Sequence, residues 1–216
     1  MAQMQAAFMD NWLKERGDLL HGLRYFPPLP PAGSAFASIF YSSPEHGSRS
    51  TEIMLHLAIP SARKSIRIEN AYFVPDPEAV ESLVQAVQRG VRVQIVLPGP
   101  HIDQKSVRRA SQLSWGKLMD AGVEIYEYQP TMAHTKLLIV DDLFVSVGSS
   151  NLDYRSLRTN AEANLNILDA PFAAQQKRIF EQDLAKSRRI SREEQRKRVI
   201  KSLPMQLLES PIRPLL

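Results

Sequence analysis

Residues 134 to 151 bring a histidine, a lysine, an aspartate, a serine and an asparagine into one short stretch. It reads His134-Thr-Lys136-Leu-Leu-Ile-Val-Asp141 and, after six more residues, Gly148-Ser149-Ser150-Asn151. An imidazole, a fixed cation, a hydroxyl and an amide are what a tetrahedral phosphate requires: a nucleophile or base, and donors for its oxygens. Read as a β-strand, the first half alternates between two faces. His134, Lys136, Leu138 and Val140 then share one face, and Thr135, Leu137, Ile139 and Asp141 the other. The imidazole and ammonium project together, while Asp141 points away from them. A second β-rich run, 143–148, ends in the glycine–serine turn, where Ser149 and Asn151 can converge on the same pocket. A lysine buried without a partner would be costly in a strand with no task beyond packing.

The elements that must position these residues follow the same reading. Strands are expected over 35–41, 65–73, 91–97, 123–128, 134–141, 143–148 and 161–168. Asp76 and Pro77 start a helix over 77–89 stopped by Gly90, and a second helix over 104–121 is stopped by Gly122. Ser50 opens another, and Pro171 opens one expected to run to about Ile190. Strand–helix alternation indicates an α/β fold, a mostly parallel mixed sheet flanked by helices, with active groups gathered at strand ends. Residues 1–33 are a short helix followed by the linker Pro27-Pro-Leu-Pro-Pro31, which proline excludes from regular helix or central strand. The expected division is 1–33 helix and linker, 34–190 catalytic domain, 191–216 a basic and apolar tail.

Composition narrows the chemistry. The 216 residues contain no cysteine, which excludes disulfides and thiolate chemistry, and five histidines with no HxH or HExxH pair, which disfavours a zinc site. No run approaches the ~18 apolar residues of a spanning helix, so membrane contact is expected to be peripheral. The net charge is +4, yet residues 177–201 hold ten basic and four acidic side chains. Such a segment fits an anionic lipid or nucleic-acid surface, and equally a solvated helix face. The leucines beyond it fit shallow membrane insertion, the domain's own core or a dimer seam.

The stretch resembles the phospholipase D superfamily motif, His-x-Lys-x4-Asp-x6-Gly-Ser-x-Asn, and matches every specified position. The order of Glu69-Asn-Ala-Tyr72-Phe73-Val-Pro75, Arg89-Gly-Val-Arg-Val-Gln-Ile-Val-Leu-Pro98, Gly122-Val-Glu-Ile-Tyr-Glu-Tyr128 and Asn151-Leu-Asp-Tyr-Arg155-Ser156 is similar to the second half of a bacterial cardiolipin synthase. That family joins two halves, each with one motif, into one active site; here one motif is present, and residues 1–33 would be the end of a missing first half. The resemblance implies a catalytic set of His134, Lys136, Asp141 and Glu162, with Lys136, Ser149 and Asn151 on the phosphate. One motif histidine attacks phosphorus to form a phosphohistidine, the other protonates the leaving alkoxide, and Glu162 stands where the family has a glutamate bonded to the histidine. Asp141, on the opposite face, is read as structural. Tyr72 and Phe73 line the pocket or belong to the core. The resemblance implies no cofactor and no metal, an anionic phospholipid substrate, and peripheral attachment to the cytoplasmic face of a bacterial inner membrane. A homodimer would supply the second histidine, as in the small nucleases of the superfamily. A phosphodiesterase or nuclease, or an inactive half-length fragment, are the alternatives, with nucleic acid the less favoured partner.

Overall fold

The computed structural model describes residues 2–30, 32–43 and 47–209, with side chains as far as Lys201. Among them, α1 (Ala2–Arg16) precedes β1 (Phe36–Ser42), α2 (Ser50–Ser61), β2 (Ser65–Asn70), α3 (Pro77–Gln88), β3 (Arg92–Pro98), α4 (Lys105–Ala121) and β4 (Glu124–Tyr128). Then come β5 (Lys136–Val140), β6 (Phe144–Gly148), α5 (Tyr154–Arg158), β7 (Glu162–Leu168), α6 (Ala170–Ala185), β8 (Ser187–Arg189) and α7 (Arg192–Glu209). The eight strands form one sheet in the order β1-β7-β6-β5-β2-β3-β4-β8.

Local chemistry sets these boundaries. The Asp76 carboxylate accepts from the Ala79 amide at 2.7 Å and starts α3, with Pro77 in its first turn. Gly122, at φ +107°, ends α4 in the left-handed conformation that glycine adopts without strain.

The α/β architecture with flanking helices is as expected, but the sheet is mixed and mainly antiparallel. Only β2–β3 and β3–β4 pair parallel, each joined by a crossover helix; the other pairings are antiparallel. The parallel expectation fails where helices stop separating strands. Between β5 and β6 the chain reverses through Asp141 and Asp142, both at φ 55°, closed by Leu143 N–H donating to Val140 O at 3.1 Å. Two central residues at positive φ make the hairpin turn that matches strand twist, and aspartate is among the few side chains that tolerate it.

The sheet is covered on both faces. Ile66, Ile68, Val93, Ile95, Leu138 and Val140 pack with Leu83, Trp115 and Leu118 beneath α2, α3 and α4. On the other face Val96, Leu137, Ile139 and Val145 pack with Ala173 and Phe180 of α6. Burial on both faces explains why β5 reads as a continuous apolar run after Lys136.

One departure lies at the C-terminal side. The helix expected to reach Ile190 ends at Ala185, and Ser187–Arg189 pairs with β4, completing an edge otherwise left open. Of the segment 191–216, residues 192–209 form α7. The Gln195 side chain, buried there, donates to Gln112 O of α4 at 2.8 Å. Part of the basic run is engaged within the fold: buried Glu127 of β4 accepts from Arg188 and Arg198 as well as from Arg108 of α4, and Arg192 pairs with Asp120. Ile212, Leu215 and Leu216 lie outside the described residues, as do the side chains of Leu203, Met205, Leu207 and Leu208. No helix among the described residues is long and apolar enough to cross a membrane.

Candidate active site

Antiparallel pairing concentrates the motif at one end of the sheet. The start of β5 lies against the end of β2, with Lys136 opposite Asn70, and the end of β6 lies against the start of β7, with Gly148 opposite Asn164. His134 sits just ahead of β5, not within it. Its imidazole meets Lys136: the ammonium lies 3.0 Å from Nδ1 and donates to His134 O at 2.9 Å. An ammonium has only donors, so the ring nitrogen it addresses is the accepting one. Tyr72 stands edge-on to the imidazole, ring centroids 6.0 Å apart, and its hydroxyl donates to Asp103 at 2.7 Å. Phe73, its neighbour, is core.

Lys136 is 8% exposed. Burial holds its ammonium below the ordinary lysine range, against the opposing pull of Glu162, Asp153 and Asp103. Those three carboxylates compensate a cation that would otherwise be stranded among Leu55, Leu137, Leu138 and Leu152.

The glycine–serine turn completes the site. A Cβ on Gly148 would stand 2.2 Å from the Ala163 carbonyl oxygen, so only glycine allows β6 and β7 to approach this closely. The Ser149 hydroxyl donates to Glu162 and accepts from the Ala163 amide at 3.1 Å. Asn151 accepts through Oδ1 from the Tyr72 amide at 3.3 Å, which leaves its NH2 group as the donating end. Among the described residues Glu162 is bonded to Ser149 and Asn160, and its charge acts on the Lys136 ammonium; no bond joins it to His134. Asp141 lies apart from these groups. At the far end of β5 its carboxylate accepts from the amides of Arg63, Lys64 and Ser65 at 2.7–2.9 Å, tying the hairpin to the strand that precedes it in space.

Two participants were not apparent from the sequence. Asp153 caps α5 by accepting from Ser156 N at 2.8 Å, and its burial, with Glu162 nearby, pushes its carboxyl up to about 6. Its signal, an aspartate three residues before Ser156, is an N-cap pattern attached to a helix too short for periodicity to reveal. Asp103 lies in the β3–α4 loop, and nothing in its surroundings sets it apart. Burial together with the bond to Asp103 pushes the Tyr72 hydroxyl up to about 12, so it remains a neutral donor.

A sequence model of the family described as cardiolipin synthase, PLD-like domain, matches residues 55–184, well over half of the chain. The chain belongs to this family. Among curated relatives, cardiolipin synthase 1 of Staphylococcus epidermidis is 33% identical over 193 residues, which are 88% of this chain and 39% of the relative. The chain therefore spans about two-fifths of the length of such relatives. Among solved structures, the phospholipase D family member Nuc from Salmonella typhimurium is 26% identical, with a TM-score of 0.63 over 73% of this chain and 99% of Nuc. Phosphatidylserine synthase of Haemophilus influenzae, 17% identical with a TM-score of 0.63 over 83% of this chain and 48% of that one, shares the fold. Family membership places the His134–Asn151 stretch in a phospholipase D-like frame at the sheet end described above. One further group holds three ligand atoms within 4.8 Å, Glu52, His56 and Asp76, on the α2–α3 side. Arg49 and Arg158 already engage Glu52, and Asp76 caps α3, so it is not set up for a cation.

Proposed function

We propose that the chain carries one half of a phosphatidyl-transferring active site of the cardiolipin synthase type. The observation that supports this best is the pairing of His134 with Lys136 at the sheet end that also carries Ser149 and Asn151, in a family whose curated relatives are cardiolipin synthases. In this reading the His134 imidazole attacks phosphorus of an anionic phospholipid, forming a P–N bond as the P–O bond to the leaving glycerol breaks. Lys136 and the Asn151 amide hold the phosphoryl oxygens whose charge grows in the transition state. The leaving alkoxide takes a proton from a second histidine. An acceptor hydroxyl then attacks phosphorus, gives its proton to that same second group, and breaks the P–N bond.

One imidazole cannot be nucleophile and proton donor in the same step. General-acid assistance contributes roughly 10²- to 10⁴-fold, so an isolated copy is nearly inactive. The second histidine comes from a partner: a second copy of this chain or a chain with the complementary motif. Anionic phospholipid as substrate places the protein at a membrane surface, held peripherally.

The test has two parts. The mass in solution at micromolar concentration establishes whether the chain pairs with itself. Incubation with phosphate-labelled phosphatidylglycerol, quenched in alkali, where phosphohistidine survives, then reads the intermediate. Label on wild-type protein and none on His134→Ala is expected; label on His134→Ala overturns the proposal. Hydrolysis of a phosphodiester is the second reading, favoured by the likeness to Nuc, nearly the whole of which this chain covers. It predicts release of phosphatidic acid with no transfer to an added alcohol.

A further inference from the structure

Beside the phosphate-binding end of the sheet, α1 and the β1–β7–β6 surface enclose an open groove of about 390 Å³, within the range of small-molecule sites. Its floor follows from strand register. Ile39, Leu165 and Val147 are paired across three neighbouring strands, and Tyr41 pairs with Ala163 one step on. Its wall is one face of α1, where Met4, Ala7 and Phe8 recur at helical spacing. Met4 is 45% and Phe8 55% exposed, and no residue of α1 is buried. The helix is nevertheless held: Ile39 N–H donates to Gln3 Oε1 at 2.9 Å, and the Tyr41 hydroxyl donates to Asp10 at 2.7 Å.

The groove is apolar along its length and polar at one end, and the polar end is Ser149 and Glu162 of the active site. We infer that it receives an acyl chain of the phospholipid whose phosphate lies at Lys136 and Ser149; this rests on the phosphatidyl-transfer reading and adds the chain-binding subsite to it. Its lining fits an amphiphile whose charged end and hydrocarbon end are joined. A nucleic-acid strand continuing from the same phosphate would need cations along its path, and no lysine or arginine lines the groove. Exposed apolar side chains leading out of a polar site mark a ligand surface more readily than a solvated one.

The two tryptophans make the inference measurable. Trp12 stacks on Phe8 of the groove wall, centroids 5.8 Å apart, whereas Trp115 is buried in the core on the opposite face of the sheet. A lysophosphatidylglycerol with a brominated chain, kept below its micelle concentration, quenches only tryptophan that the chain approaches. Saturable quenching of up to about half of the emission is expected, since one of the two indoles is in reach. Filling the groove with Ala7→Phe, or making its wall charged with Met4→Asp, should weaken this binding at least tenfold; both positions lie on a helix without buried residues, so the fold is spared. Absence of saturable quenching overturns the inference. So does quenching unchanged by both variants, which places the chain elsewhere, or a dimeric wild type that neither variant preserves and the lipid does not quench, which makes the groove a seam between copies. The readout needs no turnover. A quenched protein that shows neither turnover as a dimer nor a phosphohistidine counts against phosphatidyl transfer alone, and an active but unquenched one against the groove alone.

Discussion

Glu69 offers a sharp test of the energetics of this sheet. It lies on β2, is 3% exposed, and pairs in register with Leu137. Burial pushes its carboxyl up to about 7, the Asp183 charge adds to this, and a bond from Thr135 opposes it. In the unfolded chain it titrates near its ordinary 4.5. Because the native value is the higher, protonation favours the fold: the full benefit is present below about pH 4.5 and is lost as pH rises through about 7. A displacement of roughly 2.5 units at about 1.4 kcal/mol each amounts to about 3 kcal/mol of native-state penalty at pH 8. Glu69→Gln removes the charge and its repulsion with Asp183, at a cost of about 1 kcal/mol for an amide that the site does not fully pair. The variant should therefore be about 2 kcal/mol more stable than wild type at pH 8 and no more stable at pH 4.5. For a chain of this size that is a rise of roughly 4–8 °C in Tm at the higher pH. Urea unfolding followed by circular dichroism at both pH values measures it. Asp153 titrates in the same window, but it is common to both proteins and cancels in the difference. An equal stability difference at the two pH values would refute the assignment of a buried, charge-penalised carboxylate.

Lys136→Ala and Asn151→Ala should each lower turnover by roughly 10²-fold or more in a phosphatidyl-transfer assay, as loss of a preorganised donor does elsewhere. His134→Ala should remove turnover altogether. Asp141→Asn presents an NH2 group to backbone amides that need an acceptor, and should cost about 1–3 kcal/mol in denaturant unfolding. Burial opposes ionisation of Asp141, yet three backbone donors hold its carboxyl below the ordinary range. That contribution is present above about pH 4 and fades as pH falls further, so wild type and variant should converge in acid. Gly148→Ala forces β6 and β7 apart beside Ser149, and should lower both the thermal midpoint and any activity; a fully stable, fully active variant would contradict the close approach.

How much of this was legible in the sequence depends on the range over which each cause acts. Asp76 before Pro77, and the glycines at 90 and 122, are local signals, and α3, β3 and α4 lie where they indicate. The direction of pairing is not local. Asp141-Asp142 marks a hairpin only once Val140 and Phe144 are known to face each other, so strand–helix alternation was extended past the point where it ends. Short α5 and β8 carry too few residues for a period to emerge. The motif spacing brought His134 and Lys136 together, since residues separated by a single position in the chain need no tertiary information to meet, although His134 lies ahead of the strand and not on its face as expected. The partner of Glu162 did need it: whether a carboxylate meets Ser149 or His134 depends on how closely β7 approaches β6, which Gly148 decides. The basic run 177–201 was open between a membrane-facing row and an internal one, because the acidic partners Asp120, Glu127 and Asp142 are distant in sequence.

The three guanidinium groups around Glu127 bear on where this domain can be cut. The match to the family model ends at residue 184, yet two of the three cations that neutralise Glu127 among the described residues, Arg188 and Arg198, come after it. A chain shortened to that limit would retain the whole phosphate site, but it would leave a carboxylate that is 1% exposed with Arg108 as its one remaining counter-ion among the described residues. The same cut would strip β8 from β4 and bare a strand edge free to pair with other chains. Recombinant shortening, or gene fusion during evolution, would then preserve chemistry and lose solubility, so that aggregation in such a product would be mistaken for a defective active site.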